Sequence, residues 1–171
     1  MLELDAEALY RTLAARAKEQ YAGHSIRLIG VHTGGVWLAE RLRADLKIAE
    51  PVGILDVSFY RDDFDQSGLK AGVRPSTIGF EVAGSHLLLV DDVLNTGRTL
   101  RAALNEIFDY GRPARVDLAV LVDRGGRELP VAATLVGATI EVPSDVAVVL
   151  TRDDDGRLHL TMEKRGGDGG E

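Results

Sequence analysis

The chain has 171 residues, 45% of them hydrophobic and 27% charged, with a formal net charge of −7. Such a composition belongs to one globular domain with a real core, and the acidic balance argues against broad nucleic-acid binding while leaving room for a local basic patch. The lack of cysteine excludes disulfides and thiolate metal sites, and no apolar run approaches the ~18 residues of a membrane helix.

Residues 5–22 place Ala6, Leu9, Leu13 and Ala17 on one helical face, with Asp5 positioned as the N-cap. Their acidic, amphipathic character is unlike a signal peptide, so a cytoplasmic location is expected. A mostly apolar strand follows at 26–32. Thr33, Gly34 and Gly35 then open a second helix carrying Leu38, Leu42 and Leu46. Residues 52–59 read as a strand. The stretch 60–81 is polar, aperiodic and broken by Gly68, Gly72, Pro75 and Gly79, and a loop of that length in a compact domain is usually a lid or disordered. After the strand that begins near Leu87, Leu100, Ala103, Leu104, Ile107 and Phe108 form one apolar helix face, closed by Gly111 and Pro113. Residues 116–122 make another buried strand, followed by the charged loop DRGGRELP at 123–130. Strands at 147–152 and 157–162 flank Asp153-Asp154-Asp155-Gly156, a hairpin signal. The expectation is a single domain over 1–165 and a disordered tail at 166–171. Strands alternating with helices predict an α/β fold with a parallel sheet, and ligands then lie outside the carboxyl ends of its strands.

The chemistry concentrates in LLLVDDVLNTGRT, residues 87–99. A buried strand ends in Asp91 and Asp92, and a short loop carrying hydroxyls and a glycine leads directly into a helix. A helix start offers unpaired N–H groups and partial positive charge, which suits an anion. Gly97 lets the backbone approach closely, Thr96 and Thr99 add hydroxyl donors, and Arg98 adds charge. Ionised aspartates only accept hydrogen bonds, so they suit sugar hydroxyls and not a phosphate. Carboxylates for a ribose beside amides for a phosphate describe a pentose-phosphate site. The bland alternative is an ordinary strand–loop–helix whose aspartates cap the turn. A second glycine loop, VHTGG at 31–35, offers amides for another anion such as a pyrophosphate, and His32 is the one histidine placed in the cleft. Arg61, Asp62, Asp63, Lys70 and Arg74 on the long loop are either solvated charges or, for the cations, lid residues facing a leaving group. His24, His86 and His159 show no metal-ligand spacing.

These residues resemble a known family. The 87–99 segment resembles the phosphoribosyl-pyrophosphate (PRPP) motif of type I phosphoribosyltransferases. Together with TLAARAKEQ, IGVHTGGVWLAERL, LDVSFYRDD and GRPARVDLAVLVDRGGRELP it resembles the PyrR family, over most of residues 1–150. The resemblance implies a parallel twisted sheet flanked by helices, a small hood over the base and a flexible lid at 60–81. It implies a uracil phosphoribosyltransferase, converting uracil and PRPP to UMP and pyrophosphate with Mg²⁺ held mainly by substrate oxygens and no direct protein ligation. Some members also regulate pyrimidine operons through leader mRNA. By matching position, Val90, Asp91, Asp92, Val93, Leu94, Asn95, Thr96, Gly97, Arg98 and Thr99 bind PRPP or UMP, with Asp91 and Asp92 catalytic. His32, Thr33, Gly34 and Gly35 form the pyrophosphate loop, Arg61, Asp62, Asp63 and Arg74 belong to the lid, and Asp123, Arg124 and Arg127 lie near the base. A homo-oligomer, dimer or larger, is implied, and no membrane partner.

Three departures stand out. The family often carries arginine at the position of Gly34. Purine transferases carry aspartate at Asn95, which fits a pyrimidine substrate here and leaves no obvious general base. RNA-binding members carry polar and basic residues at Ala14 and Ala15, and a basic stretch where this chain reads Val142-Pro143-Ser144-Asp145. Two other readings stay open: a UMP- or PRPP-sensing regulator with little catalysis, and a purine or orotate transferase.

Overall fold

A five-stranded, all-parallel sheet forms the centre of the computed structural model, which describes residues 2–57 and 76–166. Its strands are β2 (Arg27–Val31), β3 (Gly53–Leu55), β4 (His86–Leu94), β5 (Arg115–Asp123) and β6 (Leu135–Thr139), in spatial order β3-β2-β4-β5-β6. β4 is central because its apolar run is buried on both faces. Leu88 and Val90 enter one core cluster, and Leu87 and Leu89 enter the other. That alternation, without a polar face, is the signature of a strand sandwiched between helical layers.

One layer holds α1 (Ala6–Gln20) and α2 (Gly34–Asp45), whose Leu13, Ala17, Leu38 and Leu42 are fully buried. Asp5 caps α1 as expected, its carboxylate accepting from the Ala8 N–H at 3.0 Å. The opposite layer is α3 (Arg98–Tyr110), which buries Leu100, Ala103 and Ile107. Phe108, assigned to the same face by periodicity, is instead 56% exposed. It lies one position past Ile107, so the apolar stripe is narrower than the pattern suggests.

A second, antiparallel sheet combines β1 (Leu2–Leu4) with the hairpin of β7 (Val146–Arg152) and β8 (Leu158–Lys164), in the order β1-β8-β7. Periodicity anticipates the hairpin but neither β1 nor β6. β1 pairs with a segment at the far end of the chain (Leu4 opposite Leu160), and β6 is a short strand with Gly137 at its middle. Strand β3 is also shorter than the stretch 52–59 suggests. Within the long polar stretch, Thr77 exchanges both backbone hydrogen bonds with Ile54, at 2.7 and 2.8 Å, so residues 76 onward rejoin the body of the fold. The lid positions Arg61, Asp62, Asp63, Lys70 and Arg74 lie outside the described residues.

Candidate functional site

Parallel strands bring their carboxyl ends to one edge, so the loops at 32–35, 91–99 and 123–130 meet there. The contacts between them are specific. A Cβ built on Gly34 would lie 2.5 Å from Asp92 Oδ2, and one on Gly35 would lie 2.3 Å from the Val90 carbonyl oxygen. Gly35 is therefore required by close approach of the 32–35 loop to the backbone at the end of β4, while at Gly34 the space is taken by the Asp92 carboxylate. The His32–Thr33 peptide is cis. Gly126 approaches Asn95 Oδ1 in the same manner, at 2.7 Å for its notional Cβ.

The acidic pair sits at the end of β4. Asp91 is 3% exposed and its Oδ1 accepts from the Asp92 N–H at 2.8 Å; Asp92 Oδ1 accepts from the Val93 N–H at 2.8 Å. Asp92 is half-buried, as is Val93. The side chains of Val90 and Leu94 belong to the core, leaving only their backbone for a ligand. Gly97 is left-handed at φ 92° and its Cβ position lies 3.1 Å from Val131 Cγ2, so glycine is needed there for conformation and for space. Thr96 Oγ1 accepts from the Arg98 N–H at 3.2 Å, Thr99 is half-buried in the first turn of α3, and exposed Arg98 pairs with Glu128 at 3.2 Å.

Neither N-cap residue of the helices that start at this edge supplies a side-chain cap, although Thr96 Oγ1 takes up the first N–H of α3. Thr33 before α2 and Gly97 before α3 make no side-chain cap hydrogen bond, whereas α1, whose start is not at these loops, is capped by Asp5. The positive ends of α2 and α3 are thus open toward anions.

The 123–130 loop is built around Arg127. Its Nε donates to the Val131 carbonyl at 2.7 Å, Nη1 to the Asn95 carbonyl at 2.9 Å and Nη2 to Asp123 Oδ2 at 2.6 Å. Asp123 Oδ1 also accepts from the Gly125 N–H at 2.9 Å. Burial would raise the Asp123 carboxyl, but the Arg127 and Gly125 hydrogen bonds outweigh it and hold the group below its ordinary range. The Thr96 carbonyl accepts from the N–H groups of Glu128 and Leu129, and the Leu94 carbonyl from that of Arg124. Arg124 is 7% exposed and turns to the antiparallel sheet, the hood of the expected fold, donating to the carbonyls of Pro143 at 2.9 Å and Val146 at 2.5 Å. Burial pulls its guanidinium below the usual arginine range. Arg124 and Arg127 therefore both act on the protein's own backbone. Sequence reasoning misses Glu128, because the pairing with Arg98 spans two loops; the charged character of DRGGRELP is the one hint of it.

Among the described residues, no three His, Cys, Asp or Glu side chains gather closely enough to cage a metal ion, and no helix is long and apolar enough to cross a membrane.

Open helix starts, a strand ending in two carboxylates and an α/β sheet are the marks of a nucleotide- or sugar-phosphate-handling protein. The model of the phosphoribosyl transferase domain family matches residues 3–155, and the chain belongs to that family, in its PyrR branch. A relative from Nitrosococcus oceani named bifunctional protein PyrR is 49% identical over 90% of this chain and 89% of its own length. Another of that name, from Pseudomonas aeruginosa (strain LESB58), is 54% identical over 81% of this chain and 79% of its own. The fold is that of a hypoxanthine-guanine phosphoribosyltransferase from Bacillus anthracis, at a TM-score of 0.66 over 85% of this chain and 86% of that one, with 20% identity.

Proposed function

We propose that the protein is a uracil phosphoribosyltransferase, converting uracil and PRPP to UMP and pyrophosphate. The observation that carries this is the meeting of two glycine-bearing helix starts with the Asp91–Asp92 pair at one sheet edge. One anion site suits the 5′-phosphate at 96–99, the other suits the pyrophosphate at 33–35, and the carboxylates between them suit the ribose. Asn95 in the PRPP loop and the PyrR relatives favour a pyrimidine over a purine.

In the reaction the C1–pyrophosphate bond breaks, the uracil N1–C1 bond forms, the bonding pair goes to the departing pyrophosphate and the N1 proton passes to solvent water. Positive charge develops on the ribose ring as the leaving group departs. Asp91 and Asp92 hold negative charge near that ring, and the amides at the start of α2 receive the departing diphosphate. Thr96, Gly97 and Thr99 fix the 5′-phosphate and so align C1 with the base. The cofactor is Mg²⁺, which takes oxygen ligands. The substrate's own oxygens would hold the ion, with no direct protein ligation. Bound there, the ion would supply charge neutralisation for the leaving pyrophosphate.

The deciding experiment measures pyrophosphate release from PRPP with uracil, orotate, hypoxanthine and guanine in turn, with and without Mg²⁺. Release with uracil alone supports the assignment; release with a purine or orotate, or with no base, refutes it.

The word bifunctional in the relatives' name favours a second activity, which we propose is UMP-dependent regulation of pyrimidine genes through leader RNA. On α1, the basic patch is thin. Arg16 donates to the Val136 carbonyl at 2.7 Å, and Ala14 and Ala15 add no charge. A gel-shift titration against a pyr leader hairpin with UMP should give binding that weakens steeply with salt. Nanomolar affinity surviving physiological salt would instead put regulation first.

A further inference from the structure

Strand β7 runs between two of the loops at the ligand edge. Its first residue, Val146, is held by Arg124 of the 123–130 loop, and its last, Arg152, lies against Trp37 in the helix that opens at 33–35. Alternation along the strand puts Val148, Leu150 and Arg152 on one face. Leu150 enters the core shared with α1 and α2, and Val148 packs against that core. Position 152 therefore continues an apolar row, yet it carries a guanidinium, which needs a partner that tolerates both charge and contact with the core. Trp37 is that partner. It is half-buried against the same core, and the Arg152 guanidinium carbon stands 4.8 Å from its ring centroid. Arg152 is itself exposed, and among the described residues it makes no hydrogen bond or ion pair, so the ring is what locates it.

We infer that Arg152 is a positioning residue for the base: stacked on Trp37, it holds the end of β7 against the start of α2 and so sets the gap in which uracil is taken up. The inference rests on the transferase reading given above. On that reading the ribose lies at Asp91 and Asp92 and the phosphates at 33–35 and 96–99, which leaves the side bounded by β7 and the 123–130 loop for the base. Losing the stack frees the Arg152 end of β7 alone, because Arg124 still holds Val146 and Arg41 still holds the hairpin at the Gly156 carbonyl. The 33–35 and 96–99 loops, built on α2 and α3, keep their places. Capture of the base therefore weakens while capture of the sugar phosphate does not.

The test is steady-state UMP synthesis by the full chain, with uracil and PRPP varied in turn, for wild type, Arg152→Ala, Arg152→Lys, Trp37→Leu and the double variant of Arg152→Ala with Trp37→Leu. Arg152→Ala should raise the uracil KM about threefold to fivefold, the scale of one exposed cation–π contact, with the PRPP KM and kcat unchanged. Arg152→Lys keeps the charge without the planar face and should recover less than half of the loss. Trp37→Leu should reproduce the rise, and the double variant should be no worse than the worse single one, since both substitutions remove the same contact. The emission of Trp37, the chain's one tryptophan, reads the stack directly and should change in ligand-free Arg152→Ala. Unchanged emission, an unchanged uracil KM or equal rises in both KM values overturn the inference and leave the transferase reading intact. A wild type that forms no UMP overturns both.

Discussion

Arg127 offers the sharpest test of how the site is assembled. Its guanidinium joins three points that are distant in sequence or differ in element: the Asp123 carboxylate at the end of β5, the Asn95 carbonyl in the 91–99 loop and the Val131 carbonyl. Arg127→Ala leaves all three to water. Hydrogen bonds to a charged group contribute roughly 1.5–3 kcal/mol each when water is excluded. The Arg127 side chain is 25% exposed and Asp123 18%, so water offsets part of each loss. The three bonds share one group and do not add. The expected cost is about 2–3 kcal/mol. Arg127→Lys should recover less than half of it, since an ammonium cannot reproduce the planar fork. Because the Asn95 carbonyl loses its tie, the 95–99 loop loosens, and UMP affinity should fall about tenfold, as expected for a displaced binding loop.

The same substitution has a pH signature. Asp123 is depressed in the folded protein below its ordinary value of 3.8. A depressed carboxyl contributes stability that is complete above the unfolded pKa and lost as pH falls through the folded one. The stability gap between wild type and Arg127→Ala should therefore be full at neutral pH and close progressively below about pH 4. Urea denaturation across pH and UMP calorimetry measure both effects. A neutral-pH gap under ~0.5 kcal/mol with unchanged UMP affinity would refute the clamp, since a surface ion pair alone contributes that little.

Asp92→Asn should cut UMP synthesis by ~10²-fold or more without lowering the melting temperature, because among the described residues the Asp92 carboxylate bonds only to its neighbour's N–H; an unfolded variant would favour a structural role instead. Gly97→Ala should cost about 1–2 kcal/mol in thermal denaturation, from a left-handed φ and contact with Val131. Asp117→Asn should cost ~2–4 kcal/mol and spare UMP binding. Its carboxylate receives Tyr21 Oη at 2.9 Å, His86 Nε2 at 2.8 Å and Arg115 Nε at 2.8 Å near the start of β5, at the sheet edge opposite the ligand loops. Burial would raise this carboxyl, but those three partners hold it below 3.8, so its contribution should be lost only in acid, and a neutral-pH cost near zero would contradict the assignment.

The parts of the fold legible in the sequence are those whose pattern is local. The four-residue apolar run before Asp91 could only be a strand buried on both faces, and Asp5 ahead of an apolar face at Ala6, Leu13 and Ala17 could only begin a helix. The strand-to-helix junctions at 32–35 and 91–99 are legible too, because each apolar run ends in glycine and hydroxyl residues ahead of a helical pattern. What stays hidden is long-range. β1 has no identity until Leu4 meets Leu160, and nothing in the DRGGRELP segment announces that its two interior arginines point different ways. The seat of Asp92 on Gly34 is equally invisible, since a glycine records only that a side chain is missing and not which neighbour takes the space.

The hood is tied to the core through the same elements that present the ligand loops. Arg124 follows directly on β5 and holds the carbonyls of Pro143 and Val146 at the start of β7. Arg41 lies on α2, the helix that opens at the 33–35 loop. It reaches the Gly156 carbonyl in the hairpin turn at 2.7 Å and grips both oxygens of Glu7, at 2.8 and 3.1 Å. Glu7 in turn accepts from the Leu158 N–H at 2.7 Å, and its carboxyl is held below the ordinary range chiefly by Arg41. Most of these links end on a backbone carbonyl or amide, so they constrain where the hood strands run and leave their outward side chains free to vary. A base lodged between hood and sheet edge would be framed by two arginine ties, one from the strand beneath its own loop and one from the helix beneath the pyrophosphate loop. On the proposed transferase reading, displacing either tie would move a base bound there relative to the 33–35 and 96–99 loops, through rigid elements and not through the loops themselves.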